Sequence, residues 1–151
     1  MQVTLDSARA FFGRAPFMVD LGVVPIAVGD GSLDTELVLA PRHYQHTGQV
    51  HAGVSAAMAD HTMGAAAQTL APAGVWALTA ELKTSLLRAA KGERLVCEAW
   101  VIKAGRTLAF TEAEVFVEHA GARTLVMKAS ATMALAGHVA PAAQGAAPGA
   151  E

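Results

Sequence analysis

Between Gln45 and Gly53 the chain reads QHTGQVHAG, and nine residues beyond His51 stands Asp60. Asp60 is the one acid in the run from Gly53 to Leu70 (GVSAAMADHTMGAAAQTL). That run is apolar around nearly its whole circumference, which predicts a buried helix. An unpaired carboxylate buried there would be costly enough to raise its own pKa, so its presence argues for a partner or a task. A desolvated carboxylate suits two tasks, taking a proton from water or attacking an electrophilic carbon itself. The plainer alternative is a structural Asp paired with a buried histidine or a backbone amide. Ala52 and Gly53 open the helix, where N–H groups are free and the dipole is positive. A carbonyl placed there would be polarised, and an oxyanion would be held more tightly than the ground state.

The neighbouring residues extend this constellation. His51 can cap the helix, orient the loop or take part directly, and Gly48 suits the loop's conformation. His43, His46 and His61 add imidazoles, but their offsets are irregular, and adjacent Asp60 and His61 are expected to face differently on a helix. No metal site is therefore expected. Met58, Met63 and Trp76 fit either an acyl tunnel or an ordinary core. No phosphate-binding glycine fingerprint of the nucleotide-binding folds is present.

Several elements must position these groups. Residues from about Asp6 to Phe17 read as a short amphipathic helix capped by Asp6 or Ser7, docked by Phe11 and Phe12, and stopped by Gly13 and Pro16. Leu21 to Val28 reads as a strand, with Pro25 marking an edge or a bulge. Asp30-Gly31-Ser32 turns the chain into a second strand from Leu33 to Leu39. A loop from Pro41 to Gly53 leads into the helix, which closes at Ala71-Pro72-Ala73-Gly74. Four strands follow: Val75 to Leu87 (alternating around Leu78, Ala80, Leu82 and Thr84), Arg94 to Lys103, Thr107 to His119, and Thr124 to Ala136. The turns between them carry Gly92, Gly105 and Gly121, where positive φ is expected.

The sum is an α+β fold, an antiparallel sheet wrapped around one long central helix. Residues 1–136 form one domain and 137–151 a disordered Gly, Ala and Pro tail. At 53% hydrophobic and 16% charged residues, the 151-residue chain is excluded from wholesale disorder, and its net charge of −2 gives no reason to expect nucleic acid or a membrane as partner. A single cysteine, Cys97, and no apolar run of spanning length suit the cytoplasm. One such sheet leaves edges exposed, so a homo-oligomer is expected, a dimer or a dimer of dimers.

From about Phe11 to Ala134 the chain resembles the hot-dog thioesterases of the phenylacetate-degradation (PaaI-like) type. The resemblance rests on His51-Ala52-Gly53 followed by Asp60 at the family's spacing, on Leu86-Leu87-Arg88-Ala89-Ala90, and on the turn Gly105-Arg106. It implies an acyl-CoA thioesterase acting on aryl- or medium-chain substrates, with no metal or redox cofactor. Asp60 would act as base or nucleophile, the Ala52 N–H with Gly53 beside it would hold the oxyanion, and His51 and Gln45 would position the thioester. The Thr79 hydroxyl would aid the attacking water, reaching Asp60 of its own or of a neighbouring chain. Arg88, Lys103, Gly105 and Arg106 would meet the coenzyme. Gln45 stands where many members carry Asn, and Ala52 replaces a Gly. Two other readings remain, a hydroxyacyl thioester dehydratase or hydratase suggested by His46-Thr47-Gly48, and a non-catalytic acyl-CoA binding module.

Overall fold

A computed structural model describes residues 3–137. Two short helices come first, α1 (Leu5–Phe12) and α2 (Pro16–Leu21). The hairpin of β1 (Val24–Gly29) and β2 (Ser32–Val38) follows, then a 3-10 turn (Pro41–His43) and the long helix α3 (Ala52–Gln68). Strands β3 (Val75–Leu86), β4 (Arg94–Ala104), β5 (Leu108–His119) and β6 (Ala122–Gly137) complete the chain. All six strands join one antiparallel sheet in the order β1-β2-β4-β5-β6-β3. The sheet curls around α3, which packs on β2, β3, β4, β5 and β6. This is the hot-dog architecture expected from the sequence. Alternation supplies the inner face: Leu95, Cys97 and Ala99 on β4, and Ala109, Thr111, Ala113, Val115 and Val117 on β5, are buried beneath the helix, and on β4 the intervening Val96 is buried too. Within that core Thr35 and Thr62 share a hydrogen bond of 2.9 Å, fixing α3 to β2. Burial pushes the Cys97 thiol up to about 12, which leaves it unreactive.

Several sequence expectations need correction. The first helix is capped by Thr4, whose side chain accepts from the Ser7 N–H, and not by Asp6 or Ser7. Pro16 does not stop a helix but opens α2 at its first turn, where a missing N–H costs nothing. β1 begins at Val24 because Gly22 ends α2 in the left-handed region, at φ 89°. Gly137 belongs to β6, and the rest of the proposed tail lies outside the described residues. Of the three hairpin glycines, only Gly121 has positive φ, at 78°, in a two-residue turn with Ala120 at 50°.

Gly92 is needed for space instead. A Cβ there would fall on the Glu118 carbonyl oxygen and lie 2.8 Å from Val117 Cγ2. Gly92→Ala is therefore expected to destabilise the fold by about 1–3 kcal/mol, read as a lower denaturant midpoint at unchanged m-value.

Two features leave the roll open at one side. β1 is an edge whose register slips between Pro25 and Ala27, as the proline suggested, and α1 covers it through Arg9 Nε donating to the Pro25 carbonyl. β3 is the opposite edge. Leu82 and Leu86, opposite inward-facing Ala131 and Met127, remain 38% and 59% exposed.

Candidate functional site

Helix α3 starts at His51, whose extended backbone (φ −62°, ψ 133°) makes it the cap; its Nδ1 accepts from the Gly53 N–H at 2.8 Å. That bond occupies one first-turn donor. Among the described residues the Ala52 N–H meets no acceptor and borders a cleft of about 300 Å3 shared with Gln45, Ser55, Arg88 and Val126. The loop around Gln45 is closed by its own backbone, with the Gln45 N–H donating to Gln49 O and the Gly48 N–H to Gln45 O. Gly48 sits at φ 78°, the conformational role expected of it. Arg88 is anchored on the cleft's rim by Nη1 donating to Leu125 O at 3.0 Å.

Asp60 lies eight residues along the same helix, about 12 Å from Ala52 by the rise of an α-helix. It is half-buried, not enclosed. The apolar circumference of α3 predicts complete burial, but the sheet covers only part of the helix, and Asp60, His61, Gly64 and Gln68 lie on the part left partly open. Thr79 Oγ1 donates to Asp60 Oδ1 at 2.7 Å within one chain. Asp60, His61, Gly64, Ala65, Ala77, Thr79 and Phe11 line a small cavity of about 80 Å3.

A β-bulge brings Thr79 there. Alternation predicts Leu78, Ala80, Leu82 and Thr84 on one face, but Ala80 is an extra residue between Thr79, which pairs with Met133, and Glu81, which pairs with Thr132. The slip turns Thr79 inward, onto the face that carries Leu82 and Thr84. Gln68 completes the positioning, since its Nε2 donates to Val75 O at 2.8 Å and its Oε1 accepts from the Ala77 N–H at 3.0 Å. An amide near the end of an alanine-rich helix was the available signal for this residue.

His61 is a further correction, for although adjacent to Asp60 it lines the same cavity. Its ring stands edge-on to Phe12 (4.5 Å) and stacked on Phe11 (5.6 Å), and its Nε2 is buried without a partner among the described residues. Burial lowers its pKa, against the opposing pull of Asp60. His43 is structural: Nδ1 accepts from the Ala40 N–H, so Nε2 is the nitrogen that donates to Leu21 O at 2.7 Å. Met58 and Met63 are fully buried and line neither cavity. Lys103, Gly105 and Arg106 sit at the β4–β5 turn, at the opposite end of the sheet from Arg88. One chain thus holds two separate groups, an N–H with an amide and an arginine in one cleft, and an acid with a hydroxyl in another.

Residues 47–124 match the family model described as the thioesterase superfamily. A thioesterase family protein from Silicibacter pomeroyi is 29% identical with a TM-score of 0.84, over 87% of this chain and 96% of that one. A phenylacetic acid degradation-related protein from Ralstonia eutropha is 27% identical with a TM-score of 0.71, over 82% and 98% respectively. A thioesterase from Haemophilus influenzae, 18% identical with a TM-score of 0.83 over 95% and 97%, shares the fold. No curated protein matches the sequence. No helix among the described residues is long and apolar enough to cross a membrane.

Proposed function

The chain belongs to the thioesterase superfamily, and on that premise we propose that it hydrolyses acyl-CoA thioesters, with aryl- or medium-chain acyl groups, to the free acid and CoA. The observation that carries this reading is the 2.7 Å hydrogen bond from Thr79 to Asp60 in a cavity that Phe11, Ala65 and Ala77 also line. Thr79 occupies Oδ1, and no protein donor among the described residues meets Oδ2, which is therefore the oxygen left for a water. In the proposed step that water's oxygen attacks the thioester carbon while Asp60 takes its proton. The carbonyl oxygen becomes an oxyanion held by the Ala52 N–H, where the helix dipole adds to the hydrogen bond. Collapse breaks the carbon–sulfur bond, and the proton held by Asp60 leaves with the thiolate.

One thioester carbon does not reach both Ala52 and Asp60 of a single chain. Two copies joined antiparallel along the free β3 edge would bring them together. Such pairing sets the Leu86 end of one β3 beside the Val75 end of the other. The Ala52 cleft of each copy would then approach the Asp60 cavity of its partner, and Leu82 and Leu86 would be covered. In this arrangement Gln45 orients the thioester and His51 holds the helix start. Gly53 adds the tight first turn, Arg88 meets the coenzyme of its own cleft, and Lys103, Gly105 and Arg106 reach that coenzyme from across the interface. The test is thiol release from a panel of aromatic and straight-chain acyl-CoAs, followed with a disulfide reporter. Hydrolysis of at least one series is expected. Tight binding without release, or hydration of an enoyl thioester in its place, would overturn the reading.

A further inference from the structure

One wall of the Asp60 cavity comes from outside the roll. Phe11, on α1, lines it together with Asp60, His61 and Thr79. The last turn of α1 rests on the His61 ring. Phe12, only 2% exposed, stands edge-on to that imidazole at 4.5 Å, and Phe11 lies parallel to it at 5.6 Å. Phe11 also stacks on Trp76 at 6.2 Å. Elsewhere α1 is held by buried Ala8 and by Arg9 Nε donating to Pro25 O.

This clamp has a defect. It seals His61 Nε2 from water and leaves it no hydrogen-bond partner among the described residues. A buried ring nitrogen in that state is costly when neutral and more so when charged. Lifting α1 returns the nitrogen to water. A charged imidazole could gain from the Phe11 face, but its Nε2–H would meet no acceptor, and burial lowers the His61 pKa in spite of Asp60. The other ionisable groups on the elements packed here are turned away. β1 carries none. On α1, Arg9 bonds Pro25 O, Asp6 is exposed, and Arg14 lines the separate cavity beyond Phe11. On β3, Glu81 and Lys83 lie on the outer face of the sheet. In the paired arrangement His51 of the partner subunit and Arg88 of the partner subunit would approach the cavity mouth.

We propose that His61 is a positioning residue that latches α1 over the Asp60 cavity: neutral, it lets Phe11 close as a wall of the site, and protonated it releases the helix. Because the closed form disfavours the proton, His61 binds it more readily once α1 is lifted. Closure is therefore strongest above about 6.5, the ordinary value of an imidazole. Below that it weakens by up to about tenfold per pH unit, and it levels off once the closed form is protonated too. Opening takes Phe11 from the wall and admits bulk water around Asp60, which lowers turnover. That last consequence rests on the hydrolytic reading of the Asp60 cavity; the latch itself does not.

Hydrogen exchange of the α1 amides tests the latch without any substrate. Protection factors are measured from pH 8 to pH 5 in the full-length chain, in His61→Phe, which keeps a ring between Phe11 and Phe12, and in His61→Gln, which keeps a polar side chain. Protection in the original protein should fall by up to about tenfold per pH unit below 6.5, and neither variant, having no group to titrate there, should show that fall. Constant protection in the original, or the same fall in the variants, would overturn the proposal. A measurement that needs no substitution is the titration of the His61 ring protons by NMR, expected to have its midpoint below 6.5; a midpoint at or above it would also overturn the latch. For turnover, the ratio of kcat/KM at pH 5.5 to that at pH 8 should be higher in His61→Phe than in the original, and an identical ratio would overturn the link to the reaction. Absence of thiol release from every substrate would instead defeat the hydrolytic reading, and the exchange data would still decide whether His61 holds α1.

Discussion

Asp60→Asn is expected to lower kcat by about a hundredfold to ten-thousandfold, the contribution of a positioned general base. The substitution is nearly isosteric, and its amide oxygen can still accept the Thr79 hydrogen bond that Asp60 accepts at 2.7 Å. What it removes is an oxygen able to take a proton from water. Asp60 is half-buried at the open side of the roll and makes no ion pair among the described residues, so little of the fold depends on its charge. The check is steady-state thiol release beside a thermal unfolding curve. Lost turnover with an unchanged midpoint fits the account, whereas turnover within a few-fold of the original would show that the acid is not the base.

Ala52→Pro is expected to cut kcat by about a hundredfold to a thousandfold through the loss of a single hydrogen, with KM changing far less. Proline is favoured at the first residue of a helix, where its fixed φ fits and no intrahelical bond is lost. The residue before a proline must be extended, and His51 already is, at φ −62° and ψ 133°. The substitution therefore deletes one N–H donor while leaving the His51 cap on Gly53 in place. Ala52→Gly, which keeps the N–H, is the matched control and should retain most of the turnover. If the proline variant matched that control, the oxyanion would have to be held elsewhere.

Much of this architecture is legible in the sequence because its signals are local. Alternation along β4 and β5 reports which residues lie beneath the helix, and Asp30-Gly31 and Ala120-Gly121 turn the chain where expected. The spacing from His51 to Asp60 places both on one helix, the cap and the acid, before any contact is known. What was not legible depends on geometry that only the assembled sheet supplies. The curl of the sheet leaves a strip of α3 uncovered, so an all-apolar helix carries a half-buried acid. The bulge at Ala80 reverses the strand's parity and brings Thr79 inward, against simple alternation. Pro16 signals a helix boundary without saying on which side the helix lies. His61 and Asp60 meet in one cavity because α1 folds back over both, a contact made by Phe11 and Phe12 from fifty residues away.

The division of the site between two chains is the most exposed part of the account, and mixing the two inactive variants tests it directly. Asp60→Asn and Ala52→Pro chains are unfolded together, refolded and assayed for thiol release against each variant refolded alone. Joined along β3, a mixed dimer holds one site with both defects and one with neither. Random pairing should therefore restore about a quarter of the original activity. A mixture no more active than its components, with both variants folded and dimeric, would contradict the claim that Asp60 of one copy works with Ala52 of the other.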